Sequence, residues 1–169
     1  MSLERIIEFG AWIVMAIALI YYVPKEKFRD SILIFFFKQL LTWFSGILVV
    51  QWNLIVYPVR LFASAVNTSF TFEFFVYPGI CVLFNLYFPE HRSLLRKAIH
   101  YVIYTSGITV FEVVLENYTN LIKYIHWSWY WTWITLFLTF MASRYFYRWF
   151  RGDFTRQAVP VAEHPRTRR

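Results

Sequence analysis

Residues 68–89 read TSFTFEFFVYPGICVLFNLYFP, an apolar stretch that carries one carboxylate, Glu73, and one helix-breaking sequence, Tyr77-Pro78-Gly79. The stretch is long enough to cross a bilayer as a helix, which needs about 20 apolar residues. A carboxylate and a proline inside such a run are costly in lipid, because the charge and the freed backbone groups need partners there. The stretch therefore predicts a helix buried among other helices, around which the rest of the chain is arranged.

The composition indicates an integral membrane protein. Of the 169 residues, 59% are hydrophobic and 23% are aromatic, and the mean hydropathy is +0.44. These values exceed the apolar share of soluble domains. We predict an all-α bundle of five transmembrane helices, with the third helix kinked at Pro78. The predicted spans lie near residues 6–23, 31–50, 69–88, 98–116 and 129–150, within a single domain over residues 1–152.

Basic residues set the predicted orientation, since short loops rich in Lys and Arg stay in the cytoplasm. Lys25, Lys27 and Arg29 lie in the first loop, and the third loop and the segment after Trp149 are similarly basic. This pattern predicts an N-terminus outside and a C-terminus in the cytoplasm. Residues 153–169 are predicted to form a basic, flexible cytoplasmic tail, which explains much of the +7 net charge.

The expected partners follow from where these charges lie. Arginine next to a membrane span is typical of an anchor near anionic lipid, worth about 1 kcal/mol per basic residue close to the surface. Nucleic-acid binding would need a clustered basic face, so we expect the lipid bilayer as partner and no nucleic acid. A membrane-protein partner or a second copy of the chain remains open. The predicted interface anchors are Trp127, Trp129, Trp131 and Trp133 outside, and Arg144, Arg148 and Arg151 inside.

Three of the spans carry polar side chains at helical spacing. Such stripes inside membrane helices form either interhelical hydrogen bonds or the wall of a polar site. The stripes are Lys38, Thr42 and Ser45 in the second run, Tyr101, Thr105, Thr109, Glu112 and Glu116 in the fourth, and Thr132, Thr135, Thr139 and Ser143 in the fifth.

Four glutamates, Glu8, Glu73, Glu112 and Glu116, fall in the outer half of the predicted bundle or at its outer edge. One interpretation is that they reach the headgroups, while Lys38 snorkels towards the inner surface. We favour this interpretation for Glu8 and Glu116. It stays open for Glu73 and Glu112, because apolar neighbours on both sides imply burial with a partner or a function.

The second interpretation is an outward-opening polar pocket that binds a ligand or an ion. Pro78 lacks a backbone N–H and would free the carbonyl of Phe74 beside Glu73, as in broken membrane helices that hold cations. An ordinary kink tolerated by packing explains the same proline. For Lys38, snorkelling and pairing with a buried glutamate are both open. The pocket hypothesis assigns Glu73, Tyr77, Pro78, Glu112, Glu116 and Lys38.

The sequence carries no recognisable catalytic motif. Its histidines lack the HExxH spacing of zinc enzymes, Ser106-Gly107 lacks the GxSxG elbow, and Cys81 stands alone in an apolar run. We therefore predict no cofactor, no metal site and no catalytic residue. The favoured function is a non-enzymatic membrane component that binds a ligand or partner through the outer pocket. The alternatives are a carrier or channel for a cation, proton or small solute that uses Glu73 and Glu112, and an intramembrane lipid-modifying enzyme.

Four segments carry a resemblance to a known family: FKQLLTWFSGILVVQ (37–51), YPVRLF (57–62), TSFTFEFFVYPGICVLFNLYFPE (68–90) and ENYTNLIKYIHWSWYWTWITLF (116–137). Over roughly residues 20–150 the chain resembles an uncharacterised family of small multi-pass membrane proteins found in endospore-forming bacteria. The resemblance implies a bacterial plasma-membrane location and a shared bundle. It implies no activity, and the arginine-rich tail after Gly152 lies outside it.

Overall fold

The computed structural model describes residues 2–152, and the helices in this range follow the predicted apolar runs. They are α1 (Leu3–Tyr22), α2 (Phe28–Gln51), α3 (Tyr77–Leu86), α4 (Leu94–Tyr118) and α5 (Trp129–Phe150). A 3-10 helix, Lys25–Lys27, precedes α2, and a π-helix, Phe70–Val76, runs directly into α3. The fold is mostly helical, as an all-α prediction requires. The predicted tail, residues 153–169, lies outside the described residues.

The π-helix and α3 form the centre of the structure. Between them they contact α1, α2 and α5, and every residue from Val76 to Gly79 is buried. Gly79 allows α1 to approach, because a Cβ there would lie 2.5 Å from the sulfur of Met15. The expectation that this stretch is buried among the other helices is confirmed.

The third helix is not a regular α-helix throughout, and the kink predicted at Pro78 stays a prediction. The stretch changes from π-helix to α-helix after Val76, and Pro78 lies in the first turn of α3. Proline is well tolerated there, since the first N–H groups of an α-helix have no intrahelical acceptor. Pro78 therefore lies at the start of α3, next to the junction of the two helix types.

Two helical segments are long and apolar enough to cross a membrane: Lys25–Gln51, with mean hydropathy 1.9, and Leu94–Tyr118, with mean hydropathy 1.5. In the most apolar part of each segment, only 22% and 28% of the residues are buried. The core helix of a soluble protein would be mostly buried. The remaining helices are weaker candidates. α1 begins with Glu4, Arg5 and Glu8, and the apolar helix Phe70–Leu86 is short.

A two-stranded antiparallel sheet joins the segments that precede the π-helix and α5. Strand β1 (Ile55–Val56) pairs with β2 (Lys123–Tyr124), so that Ile55 lies opposite Tyr124. No strand was predicted from the sequence. The sheet brings Tyr57 and Tyr124 to the same end of the bundle as Glu73 and Glu112.

The tryptophans expected at the outer interface divide into two pairs. Trp129 and Trp131 are exposed, as a membrane belt requires. Trp127 and Trp133 instead turn towards the protein. The indole N–H of Trp127 donates to Thr132 at 2.8 Å, and that of Trp133 donates to Ser106 at 3.1 Å.

The arginines expected at the inner interface also differ from one another. Arg144 is 9% exposed and forms an ion pair with Glu90. Its assignment as a headgroup anchor is therefore wrong, because Glu90 in the turn after α3 supplies the counter-charge that a buried guanidinium needs. Arg148 is half-buried, with its Nε 3.5 Å from Glu90 Oε1, and Arg151 is exposed.

Candidate functional site

A cavity of about 90 Å³ lies between the π-helix, α2, α4 and α5, and the sheet segments cover one side of it. Glu73, Tyr77 and Glu112, three of the six predicted pocket residues, line it. The other lining residues are Thr42, Ser45, Gly46, Val49, Ile55, Tyr57, Trp127, Thr132, Thr135, Leu136 and Thr139. The predicted pocket therefore exists as a space, and two carboxylates border it.

The carboxylate of Glu112 has a full set of donors. Tyr77 donates its hydroxyl to Oε2 at 2.9 Å, and Tyr124 and Thr132 each donate to Oε1 at 2.7 Å. Trp127 in turn donates to the hydroxyl of Thr132, which orients it. Hydrogen bonds to a buried carboxylate are among the stronger ones in proteins, so this cluster fixes Glu112 against the cavity wall.

The carboxylate of Glu73 is only partly bonded. Tyr57 donates to Oε1 at 2.7 Å, while Oε2 is buried and makes no hydrogen bond within residues 2–152. The buried hydroxyl of Thr68 lies close enough to interact with the Glu73 carboxyl group as a weak hydrogen-bond donor, but it makes no hydrogen bond of normal length in this range. A buried carboxylate oxygen without a donor is costly, so this side of Glu73 is the place where a ligand would gain most.

Gly46 of α2 creates the space that Glu73 occupies. A Cβ at this position would collide with both carboxylate oxygens and with Cδ. The requirement is a close approach rather than an unusual backbone angle, since Gly46 lies inside α2. Any larger residue would push the carboxylate away from Tyr57.

The tyrosines of the sheet segments act as hydrogen-bond donors. Burial, followed by the neighbouring carboxylates Glu73 and Glu112, raises the pKa of Tyr57 well above its usual value. Burial and Glu112 likewise raise the pKa of Tyr124. Both phenols therefore keep their protons over the physiological pH range and can donate to the glutamates.

Lys38 lies beyond the cavity wall, towards the start of α2. Its side chain is fully buried, its Nζ donates to the Thr139 hydroxyl, and the Phe140 ring centroid is 4.5 Å from Nζ. In the described part of the chain, no ion pair joins Lys38 to a carboxylate. Both interpretations of Lys38, snorkelling and pairing with a glutamate, are therefore wrong. Thr139 lines the cavity and places the ammonium one hydrogen bond away from it.

The remaining pocket predictions are only partly met. Pro78 is buried in the first turn of α3 and does not line the cavity. The Phe74 carbonyl does make a bond outside its own helix, but it accepts from the Gln39 side chain at 2.8 Å, and the Glu73 carbonyl accepts from Thr42 at 2.7 Å. These carbonyls are occupied by α2 rather than presented to a cation.

Glu116 and Glu8 also lie outside the cavity. Glu116 is half-buried, with its backbone carbonyl bonded to Lys123. Glu8 was expected to reach the headgroups and is instead 1% exposed. It pairs with Arg5 at 2.9 Å and accepts from the backbone N–H of Leu61 at 3.1 Å. Arg5 lies one turn earlier in α1, and Leu61 lies in a loop that folds back over α1, so the two together satisfy the buried carboxylate.

The sequence pattern predicted none of Tyr57, Tyr124, Trp127 and Gly46 as residues of the cavity, although Trp127 was predicted as an interface anchor. Tyr57 and Tyr124 lie in segments that are far apart in the sequence and pair only in the folded structure. Trp127 belongs to a tryptophan-rich segment and could not be told apart from its exposed neighbours. Thr132 was recognised as part of a polar stripe, although not as a donor to Glu112. A single tyrosine beside apolar residues in each loop was the local signal.

The chemistry of the cavity is that of two buried carboxylates surrounded by neutral hydroxyl groups. No ion pair within residues 2–152 involves Glu73 or Glu112. Nor does this range contain a group of three or more His, Cys, Asp or Glu side chains placed to hold a metal ion. A proton or a small cation at these carboxylates would offset the cost of burying their charge.

Comparison with protein-family models, with curated proteins and with solved structures finds no match for this chain.

Proposed function

We propose that this protein is a non-enzymatic, five-span component of the bacterial plasma membrane that binds a small cation or a proton in the carboxylate cavity. The N-terminus is outside and the C-terminus is cytoplasmic. The bacterial location rests on the family resemblance of residues 20–150, and the orientation rests on the basic loops.

The five-span arrangement is supported by the exposed apolar faces as well as by the two long apolar helices. On α1, Ile13, Ile17 and Ile20 are 59%, 60% and 83% exposed. Contiguous apolar surface of this kind marks a membrane or protein contact. A helix with one such face and a buried Glu8 on the other suits the rim of a membrane bundle.

The observation that carries the proposed binding function is the unbonded Oε2 of Glu73. It is buried, it belongs to a residue that lines a cavity, and it occupies the space left by the missing Cβ of Gly46. Glu112, by contrast, already accepts three hydrogen bonds. The ligand is therefore expected to contact Glu73 first, with Glu112 as a fixed second wall.

The size and donor set of the cavity limit the ligand class. A cavity of about 90 Å³ has room for a few water molecules or a small ion. A divalent ion such as Ca²⁺ takes about six to eight oxygen ligands. The two carboxylates cannot supply that many, because most of their oxygens already accept hydrogen bonds. A proton, a monovalent metal ion or a small protonated amine fits this chemistry better.

The test is the melting temperature of the detergent-purified protein across pH and across Na⁺, K⁺, Mg²⁺ and methylammonium. A ligand at about 100 times its Kd stabilises by about 2.7 kcal/mol, or about 5–11 °C for a chain of this size. The shift should disappear in Glu73→Gln and persist in Glu116→Gln, the same substitution outside the cavity. A response that is flat in wild type, or unchanged in Glu73→Gln, would rule out the proposed site.

One observation favours a carrier or channel for a cation or proton as the second candidate. Thr139 lines the cavity and also accepts the hydrogen bond of the buried Lys38. Polar groups therefore continue past the cavity towards the start of α2. A path for a cation or proton across the membrane would need such a series of polar groups. In proteoliposomes, cation or proton flux that is lost in Glu73→Gln and altered in Lys38→Met would support transport, and binding without flux would exclude it.

A further inference from the structure

An apolar groove with a volume of about 670 Å³ lies between the end of α1 and the start of α2. Val82 of α3 forms its floor, and its walls include Ile20 of α1 and Phe36 of α2. Lys25, between the two helices, lies at one end of it. We propose that this groove, here called the lipid groove, binds one acyl chain of an anionic phospholipid whose headgroup contacts Lys25.

The lipid groove exists because α1 packs mainly on the π-helix and α3, which leaves a gap between its end and α2. Ile20, Phe28 and Phe36 line this gap and are each more than half exposed, so the gap opens to the outside of the bundle. An apolar space without an occupant forfeits packing contacts for the side chains around it. In the membrane location proposed above, on which this inference rests, the molecules available to fill it are those of the bilayer.

The walls of the lipid groove favour an acyl chain over a helix from a second copy of the protein. Membrane helices approach each other closely where small residues line the interface. Apart from Ser31, whose hydroxyl donates to the Lys27 carbonyl at 2.9 Å, the groove is lined by larger side chains. From Phe28 to Phe36 it follows α2 for about 12 Å, at 1.5 Å per residue. This length is close to the hydrocarbon depth of one leaflet, about 15 Å.

The charges beside the lipid groove favour an anionic headgroup. Lys27 pairs with Asp30 at 3.7 Å, so these two charges offset each other. In the described part of the chain, no ion pair involves Lys25, Glu26 or Arg29, which together carry one positive charge in excess. Of these three residues, Lys25 lines the groove, and its side chain is exposed. A basic residue at this position attracts an anionic headgroup while the acyl chain lies along α2.

The first measurement is the melting temperature of the full chain, stripped of lipid in a neutral detergent and titrated with phospholipid. Phosphatidylglycerol should stabilise with an apparent Kd about fivefold lower than phosphatidylcholine of the same chain length, since one basic residue near a headgroup contributes about 1 kcal/mol. Glycerol phosphate, the headgroup without its chains, should have no effect at the same concentrations. Equal stabilisation by both lipids, stabilisation by glycerol phosphate, or a flat response to all three would overturn the proposal.

The second measurement locates the headgroup. Lys25→Gln should reduce the preference for phosphatidylglycerol to less than about twofold, because the charge that attracts the headgroup is gone. Lys97→Gln, the same substitution at a position outside the groove, should leave the preference unchanged. Equal losses in both variants would mean diffuse attraction to a basic surface and would refute a headgroup site at Lys25.

The third measurement locates the acyl chain. Ile20→Trp places a larger side chain in the groove and should raise the apparent Kd for both lipids at least about tenfold, the effect of about two CH₂ groups that are no longer buried. Ile17→Trp adds the same bulk to α1 outside the groove and should have little effect. Equal effects of the two substitutions would exclude the groove as the binding site. If Ile20→Trp does not fold, the Lys25→Gln comparison still decides, because Lys25 is exposed.

Two controls separate this proposal from its alternatives. Light scattering in detergent that shows a dimer, lost in Ile20→Trp and insensitive to lipid, would assign the groove to a second copy and overturn the proposal. The lipid groove and the carboxylate cavity share no lining residue, so the lipid and cation tests fail independently. A chain that stays monodisperse without detergent would remove the membrane location together with the lipid site, whereas a flat lipid titration of a chain that requires detergent would remove the lipid site alone.

Discussion

The close approach of Gly46 to Glu73 can be tested by Gly46→Ala, a substitution that adds a single methyl group. On helix propensity alone, alanine inside a helix is more favourable than glycine by about 1 kcal/mol. Here the new Cβ would collide with the carboxylate of Glu73, which is 5% exposed and bonded to Tyr57. Moving the carboxylate breaks that hydrogen bond, which is worth about 1.5–3 kcal/mol when the acceptor is charged.

The two effects oppose each other, and the hydrogen bond is the larger. Gly46→Ala should therefore destabilise the protein by about 0.5–2 kcal/mol, which lowers the melting temperature by about 1–8 °C in a chain of this size. Gly107→Ala is the matched control, because a Cβ at Gly107 meets nothing within 4 Å. Gly107→Ala should keep the stabilisation that alanine brings to a helix, so the melting temperatures of the two variants should differ by about 3–12 °C.

The assay can use Cys81, the only cysteine of the chain, which is fully buried. A thiol-reactive fluorophore will label it as the protein unfolds, so fluorescence against temperature gives the apparent melting temperature. A Gly46→Ala protein that melts as high as Gly107→Ala would refute the close approach. If the approach is real, Glu73→Ala in the Gly46→Ala background should remove the penalty, because the colliding group is then absent.

Three further predictions use the same melt. Glu112→Gln should lower the melting temperature by about 2–12 °C, because an amide oxygen cannot accept all three donors and an unbonded buried hydroxyl costs about 1–3 kcal/mol; an unchanged value would contradict the donor geometry. Lys38→Met should maintain or raise the melting temperature, since a buried ammonium with a single hydroxyl partner is costly to bury; a fall of more than about 4 °C would show that the ammonium stabilises the fold. Wild-type stability should fall as pH rises above about 10, because the unfolded chain then loses tyrosine protons that the folded state keeps at the raised pKa of Tyr57 and Tyr124. Tyr57→Phe should reduce this slope, and an equal slope would exclude Tyr57 as its source.

The helices could be predicted from the sequence because their ends are marked by strong local signals. The predicted run 31–50 lies within α2, Phe28–Gln51, and the run 129–150 matches α5, Trp129–Phe150. Apolar runs end where charged residues, proline or asparagine make continued burial unfavourable. The association of Glu73, Tyr77 and Glu112 was also predictable, since each is a polar residue that an apolar run forces towards the protein interior.

The rest of the site depends on contacts between distant segments. Tyr57 reaches Glu73, and Tyr124 reaches Glu112, only because β1 pairs with β2 across a wide sequence separation. Strands of two residues leave almost no pattern in a sequence. The burial of Arg144 depends in the same way on Glu90 in a different turn, so a charge pattern read along the chain could only suggest an exposed anchor.

The π-helix determines the directions in which its side chains point relative to those of α3. In an α-helix, residues four apart lie on the same face, so Glu73 and Tyr77 would point to the same neighbour. Here Glu73 packs against Gly46 of α2 while Tyr77 bonds to Glu112 of α4. Removing one residue from Phe70–Val76 would favour a continuous α-helix and rotate the residues before it by about 100° relative to α3. The two halves of the cavity would then be out of phase, although every side chain that forms it would still be present. The chain thus specifies the cavity partly through the number of residues per turn in the segment Phe70–Val76.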